Sequence, residues 1–283
     1  MRINTNVSSL TAQEANANTN KNLANSLEKL SSGLRINKAS DDASGLSIAD
    51  KLRTQANSIK QSIANGNSAV ALIQIADKAM AEQSNILDIV KQKLIQGATA
   101  TTSDIGRIAI GKDIDKLLTQ LNEIANQTNY NGVTLLQGAS AGDSAPALTF
   151  QMGENATNIA KLSASTQSNT AGLSGMSALK ISAATGSWSG GDVRAHMISI
   201  DSAINELNAW RSDFGSTQNQ IESAIRNQMT QETNIRAAES VIRDVDYAAE
   251  SANFNKSNII SQAGTYAMSQ ANNVQQNVMK LLQ

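Results

Sequence analysis

The sequence predicts a mainly α protein: a long antiparallel helical rod with coiled-coil terminal helices and a small β-hairpin region. Three observations carry that expectation. Apolar residues recur at alternating steps of four and three near both ends and through the middle, the pattern of helices that bury a narrow stripe on another helix. Proline occurs once and aromatics make up 3% of the chain, so burial falls to Leu, Ile, Val and Ala, which suit thin helix–helix seams better than a ring-filled core. Only between residues 139 and 191 does the helical period fade, giving way to Gly, Ser, Thr and Ala.

At the N-terminus Ile3, Val7 and Leu10 share one step, and Leu23, Leu27, Leu30 and Leu34 resume it one residue out of phase. Residues 1–35 therefore read as a helix with an Asn-rich outer face, weakened at Ser31-Ser32-Gly33. Asp41 and Asp42 read as the N-cap and first-turn carboxylates of the next helix, where negative charge meets free amides and the positive end of the dipole. In that helix Leu52, Ala56, Ile59, Ile63, Gly66, Val70 and Ile73 keep the step, and Met80, Leu87, Val90 and Leu94 extend it. Over 42–96 it would span about 80 Å. Gly66 sits on the seam, where it weakens the helix but admits close backbone approach.

Small residues at 97–103 predict a turn, followed by a shorter helix over 105–126 with Ile110, Ile114, Leu117, Leu118, Leu121 and Ile124 on its apolar face. Asn131-Gly132 marks a tight turn. Within 139–191 the alternation Leu148-Thr149-Phe150-Gln151-Met152 reads as strand, with loops around it. The helical period returns near His196 and carries Ile200, Ile204, Leu207, Phe214, Ile221, Ile225, Ile235 and Ile242. The C-terminal seam is Ile260, Gly264, Ala267, Ala271, Val274, Val278 and Leu281. A helix with so thin a stripe is marginal alone in water. The two ends are therefore expected to close on each other, or on copies of the chain. The expected division is a terminal coiled-coil domain, 1–41 with 247–283, and a rod domain, 42–246, that includes the β-region 139–191.

Composition narrows the function. Lys and Arg number 23 against 24 Asp and Glu, with no long run of either sign, which speaks against nucleic acid or an anionic membrane as partner. No stretch reaches the length of a membrane span, and the first residues lack the apolar region of a cleaved secretory signal. Without cysteine there is no disulfide or thiolate metal site. The single histidine, His196, stands near Asp192 and Arg194 with no metal or triad spacing. The pairs Asp41/Asp42 and Asp244/Asp246 fall at helix starts or breaks, where carboxylates cap amides. Gly186-Ser187-Trp188-Ser189-Gly190-Gly191 has no phosphate-cradle pattern, and the Asn6-Val7-Ser8 sequon lies on a helix seam. No cofactor, metal or catalytic set is expected, and the chain reads as an assembly protein rather than an enzyme.

The helical ends resemble bacterial flagellin. Ile3-Asn4-Thr5-Asn6, Leu30-Ser31-Ser32-Gly33-Leu34-Arg35-Ile36-Asn37 and Asp41-Asp42-Ala43-Ser44-Gly45-Leu46 carry the likeness at one end. Phe214-Gly215-Ser216-Thr217-Gln218-Asn219-Gln220, Ile242-Arg243-Asp244-Val245-Asp246-Tyr247-Ala248-Ala249-Glu250 and Val278-Met279-Lys280-Leu281-Leu282-Gln283 carry it at the other, and Tyr130-Asn131-Gly132-Val133 resembles the family's Phe-Asn-Gly turn. The stretch Ala248-Ala249-Glu250-Ser251-Ala252-Asn253-Phe254 looks most like the Campylobacter and Helicobacter group. The resemblance covers about residues 1–138 and 195–283.

It implies a subunit of the minimal type that polymerises with itself into the flagellar filament, its terminal helices lining a central channel. It also implies cap and hook-associated partners, an export chaperone and the flagellar type III export gate, which delivers the chain outside the cell without a cleaved signal. A hook–filament junction protein shares such termini, and a secreted coiled-coil effector or adhesin is the alternative of another class. The polymerisation seam would comprise Ile3, Val7, Leu10, Leu23, Leu27, Leu30, Leu34, Ile260, Ala267, Ala271, Val274, Val278 and Leu281. Members of the group often carry sugars on outer hydroxyls; candidates are Ser163, Ser165, Thr166, Ser168, Thr170, Ser174, Ser177 and Ser182. Flagellins detected by the vertebrate toll-like receptor bear a Gln-Arg-Val-Arg-Glu-Leu run. The aligned residues here are Asp88, Ile89, Val90, Lys91, Gln92 and Lys93, with Asp113 as the facing acid. Ile89 replaces an arginine and Lys93 a leucine, which implies weakened recognition.

Overall fold

The computed structural model describes residues 6–137, 148–162, 166–185 and 190–281. In chain order the elements are α1 (Val7–Ser32), α2 (Ala43–Ala98), α3 (Asp104–Gln127), β1 (Asn129–Tyr130), β2 (Val133–Thr134), β3 (Leu148–Gln151), β4 (Ile159–Leu162), α4 (Met176–Thr185), α5 (Gly190–Arg243) and α6 (Tyr247–Leu281). The predicted class is therefore observed: mainly α, with two small antiparallel strand pairs.

The chain divides into two compact units, Met1–Ala56 with Thr233–Gln283, and Asn57–Glu232. The first is larger than the expected terminal domain of 1–41 with 247–283. It takes in the first turns of α2 and the last turns of α5 because residues there are tied to the loop after α1. Arg243 reaches Asp50 at 3.5 Å, and its backbone carbonyl accepts from the Arg35 amide.

In the second unit α3 and α5 each run antiparallel to α2. Lys91 pairs with Asp201 and Asp77 with Arg211, while Lys93 pairs with Asp113. The apolar stripes read from sequence fill the space between them: Ile73, Met80, Leu87, Val90 and Leu94 of α2, Ile114, Leu118 and Leu121 of α3, and Ile200, Leu207, Phe214 and Ile221 of α5 are all but fully buried. Two buried positions on α2 are polar, Ser62, whose hydroxyl donates to the Ser58 carbonyl, and Gln83. Gln83 is fully buried, and its amide nitrogen donates to the carbonyls of Leu121 at 3.1 Å and Ser168 at 3.0 Å, so it ties α3 and the 166–173 segment to α2. Buried amide hydrogens are tolerated only when paired in this way.

Asn131 and Gly132 both adopt positive φ, 50° and 80°, and turn β1 into β2, as the Asn-Gly pair requires. The β3–β4 hairpin docks on the helices through Asn65, which donates to the Gln151 carbonyl at 3.3 Å, and through Gln228, which donates to the Met152 carbonyl. Gly66 makes this approach possible, since an added Cβ would lie 2.9 Å from both Ile225 Cγ1 and Met152 Cε.

Two expectations need correction. Residues 176–185 form α4, where strands and loops were expected. Its stripe of Met176, Leu179 and Ala183, buried on the core, is too short to stand out in a Gly- and Ser-rich background. The following helix begins at Gly190, earlier than the periodicity near His196. The expected turn at 186–189 and the part of the β-region at 139–147 lie outside the described residues.

Glycine positions in the two long helices make a paired prediction. Gly66→Val should lower the stability of the second unit by about 1–3 kcal/mol through overpacking. Gly215→Ala, where an added Cβ meets nothing within 4 Å, should raise it by about 0.5–1 kcal/mol. Thermal or denaturant unfolding of the monomer measures both.

Candidate functional site

In the first unit α1 lies antiparallel on α6. Asn6 caps α1 by accepting from the Ser9 amide at 3.1 Å, and its own amide donates to the Ala271 carbonyl at 3.1 Å. That use of the side chain leaves the sequon a structural role here. The helices come close at Asn16 and Gly264, where an added Cβ would stand 3.6 Å from Asn16 Cβ. Beside it the Ser261 hydroxyl donates to Asn20 Oδ1 at 2.8 Å and to Asn16 Oδ1 at 3.4 Å. Steps of three and four from Asn16 lead to Ser9, Ala12, Thr19, Leu23, Ser26 and Leu30. The matching steps from Gly264 lead to Ala271, Met268, Ser261, Ser257, Phe254 and Glu250. Each of these is buried or half-buried. The seam within the chain therefore mixes small and polar residues with a few large ones, Leu23, Leu30, Phe254 and Met268, each set opposite a smaller or polar partner.

This shifts the phase read from sequence. Of the predicted seam only Leu23, Leu30 and Ala271 turn toward the partner helix, and Leu34 is half-buried in the loop. Val7 is 62% exposed, Leu10 54%, Leu27 57%, Ile260 46% and Val274 54%, and Ala267 is exposed as well. Tyr266 and Ile259 add to the uncovered apolar surface of α6. Ile3 and the side chains of Val278 and Leu281 lie outside the described residues. The physical reason is that two stripes on these helices repeat at four and three, and the one that closes within the chain is the mixed stripe of small, polar and a few large residues.

At the base of the pair a short clasp joins the two chain segments. Gly33, at φ +74°, ends α1 with its amide on the Lys29 carbonyl at 2.9 Å, and its carbonyl accepts from the Val245 amide at 3.0 Å. Leu34 and Asp244 form an antiparallel bridge. The Arg35 amide donates to the Arg243 carbonyl at 2.6 Å, and its guanidinium donates twice to the Ile242 carbonyl, at 3.2 and 2.7 Å. Tyr247 closes over Gly33, where an added Cβ would sit 2.9 Å from the phenol oxygen.

The carboxylates serve this loop as caps. Asp42 accepts from the Gly45 amide at 2.8 Å and starts α2. Asp246 accepts from the amides of Ala248 and Ala249 and starts α6. Asp41 departs from its expected N-cap role, holding the loop amides of Lys38 at 2.9 Å and Asn37 at 3.1 Å. Those two amides pull its pKa below the ordinary 3.8. Glu28 binds Lys38 at 2.6 Å and Asn37 at 2.9 Å, and raises the Lys38 pKa.

The other candidates fall in the second unit. Asp88, Ile89 and Gln92 are exposed, Val90 is in the core, and Lys93 holds Asp113 at 2.9 Å, lowering its pKa. Among the hydroxyl candidates Thr166, Ser168 and Thr170 are buried. Thr166 donates to the Leu135 carbonyl, Ser168 lies on the Leu136 carbonyl, and Thr170 accepts from Asn122. These three are thus corrected to structural residues of the folded chain. Ser174 and Ser177 are exposed and Ser182 half-buried, while Ser163 and Ser165 lie outside the described residues. His196 sits partly buried on α5, which lowers its pKa despite Asp192. Among the described residues no acidic or histidine cluster could hold a metal, and no helix is long and apolar enough to cross a membrane.

A helix pair that closes on a mixed seam rich in small and polar residues, and leaves Val7, Leu10, Leu27, Ile259, Tyr266 and Val274 uncovered, has the makings of an assembly protein. Comparison with known proteins agrees. The model of the bacterial flagellin N-terminal helical region matches residues 3–141, and that of the C-terminal helical region matches residues 197–282. A flagellin of Bacillus subtilis (strain 168) is 36% identical over the full length of both chains, and a flagellar filament 30.7 kDa core protein of Treponema maltophilum is 33% identical over the same extent. Flagellin B of Helicobacter pylori is 49% identical over 138 residues, 49% of this chain and 27% of that one. The crystal structure of Bacillus cereus flagellin covers 62% of this chain and 94% of its own at 23% identity and a TM-score of 0.49. The chain belongs to the flagellin family and is a structural subunit of the bacterial flagellar filament.

The depressed pKa of Asp41 gives the loop a pH dependence. A carboxyl with a folded pKa below 3.8 adds stability above that value and loses it as pH falls through its own lower pKa. Hydrogen exchange at the amides of Asn37 and Lys38 is expected to quicken in Asp41→Ala at neutral pH, relative to the parent. In the parent the same protection should disappear only on strong acidification.

Proposed function

We propose that the outward stripes of α1 and α6, with Val7, Leu10, Leu27, Ile260, Ala267 and Val274, are the surfaces that other copies of the chain cover on polymerisation. The observation that supports this is the reversal of phase. A helix normally hides its largest apolar side chains first, yet here Ser9, Asn16, Ser26, Ser257, Ser261 and Gly264 share the inner seam with a few large residues while Val7, Leu10, Leu27, Ile259, Tyr266 and Val274 stay exposed. Exposed apolar side chains repeated along paired helices are surface that an interface would cover. Beyond Val274 the same four-and-three step continues in the sequence to Val278 and Leu281, toward the end of α6.

From family membership we further infer that the terminal pair forms the inner, channel-lining domain, while the remainder forms the surrounding rod. The chain is exported through the flagellar type III gate with a dedicated chaperone, and meets cap and hook-associated proteins outside the cell. Leu27→Asp and Ile260→Asp test the stripe, because burying an unpaired charge costs several kcal/mol. Each should raise the concentration needed for polymerisation by at least about a hundredfold, with monomer stability in the second unit unchanged to within about 0.5 kcal/mol. Normal filaments from either variant would show that the outward stripe is not the interface.

Two finer readings follow from the second unit. Ile89 and Lys93 stand where receptor-active flagellins place an arginine and a leucine, and Lys93 already occupies Asp113. This chain is therefore a poor ligand for the toll-like receptor. Ile89→Arg with Lys93→Leu is expected to restore part of the signal in a cell reporter assay, and strong activation by the parent would refute the reading. Ser174 and Ser177 are the exposed hydroxyls best placed for sugar attachment. An intact mass of the native protein equal to that of the bare chain would exclude modification.

A further inference from the structure

The seam between α1 and α6 does not choose its own register. Sliding α6 by one heptad, so that Gly264 faces Leu23 and Ser257 faces Leu30, still sets small residues against large ones and brings Ser26 to Ser261. Register is specified by pattern only where a slip buries something costly or exposes something apolar, and a one-heptad slip leaves Leu23, Leu30 and Met268 opposite the small partners Gly264, Ser257 and Thr19. Yet the stagger is kept from one end of the pair to the other. Leu34 faces Asp244, Asn16 meets Ser261 and Asn6 meets Ala271, so each advance toward the start of α1 is matched by an advance toward the end of α6.

A slip would break the Asn6–Ala271 and Ser261–Asn20 bonds, whose polar groups can find new partners along the helices, but the clasp cannot be remade at another register. Its bonds are made by backbone groups at fixed positions. Val245 donates to Gly33, Arg35 donates to Arg243, and the Arg35 guanidinium grips the Ile242 carbonyl. Both helices leave it within a few residues, α1 ending at Ser32 and α6 beginning at Tyr247. Tyr247 packed over Gly33 leaves little room for either to shift. We propose that this clasp, through Gly33, Arg35 and the backbone of 242–245, sets the register of α1 against α6 and so aligns the outward stripes. The value of that alignment for assembly rests on the polymerisation reading above. Arg35 acts here as a positioning residue that works through the helices it holds.

The absence of cysteine allows the register to be read directly. Asn16→Cys with Gly264→Cys reports the observed register, since the Cβ separation of 3.6 Å suits a disulfide. Leu23→Cys with Gly264→Cys reports the one-heptad slip. In oxidised filaments the first pair should form in preference to the second by about tenfold or more, the discrimination that a few hydrogen bonds supply. Adding Arg35→Ala and Val245→Pro removes the guanidinium donors and one bridge amide outside the helices, and the two yields should then converge. A preference that survives those changes overturns the proposal. Where the clasp variant does not assemble, oxidising the engineered pair at positions 16 and 264 before polymerisation should rescue filament formation, and a locked chain that still fails overturns it too. Reporter chains with the intact clasp that stay monomeric would count against the polymerisation reading instead, and the same disulfide ratio is then taken on the oxidised monomer.

Discussion

An α-helix can give only one narrow face to a single antiparallel partner, and in the terminal pair that face goes largely to small and polar residues such as Asn16, Gly264 and Ser261, with Leu23, Leu30 and Phe254 among them. Much else in the first unit follows from this allocation. Leu23 and Leu30 reach the seam, but Val7, Leu10, Leu27, Ile260 and Val274, which periodicity also marks for burial, stay exposed within the chain. The polar part of that seam contributes little beyond exchanging hydrogen bonds with water for hydrogen bonds within the chain, and its few large residues are only half-buried. The pair is thus held weakly from within and has much to gain from assembly, which is the balance a reversible polymer subunit needs.

The second unit solves the opposite problem. Its three long helices interleave large side chains to full burial, with Phe214, Met80, Leu87 and Leu118 at zero or near-zero exposure. Polar groups inside it link segments: the Gln83 amide nitrogen ties three together, and Asn122 and Thr170 satisfy one another. Burial on this scale stabilises a unit without help from neighbours. One chain thus contains a self-sufficient part and a part whose apolar surface is unfinished, and the contrast is written in which stripe each helix buries.

Between the terminal helices and the rest of the first unit stands a loop rich in backbone hydrogen bonds and nearly free of apolar burial apart from Ile36. The run Ser31-Ser32-Gly33-Leu34-Arg35, a weak point in a helix by its sequence, is the place where the chain changes direction and meets its own distant segment. Glycine is required there because φ is +74° and the Tyr247 phenol sits where a Cβ would go. Arginine suits the next turn because its forked donors can take one carbonyl twice.

The sequence by itself determined the helical class, the four-three spacing, the long core stripe from Ala56 to Leu94, the Asn131-Gly132 turn and the family. These follow from local periodicity and turn chemistry, which are properties of short stretches. It also determined that both ends carry stripes too thin to stand alone. Only the tertiary structure decided which stripe on α1 and α6 closes within the chain. Two stripes of the same period compete there, and hydrophobicity marks what the final assembly buries rather than what one chain does. The tertiary structure also revealed α4, hidden by its short stripe, and placed Thr166, Ser168 and Thr170 inside. Their hydroxyls pair with carbonyls and an amide from distant segments, contacts that no local pattern encodes.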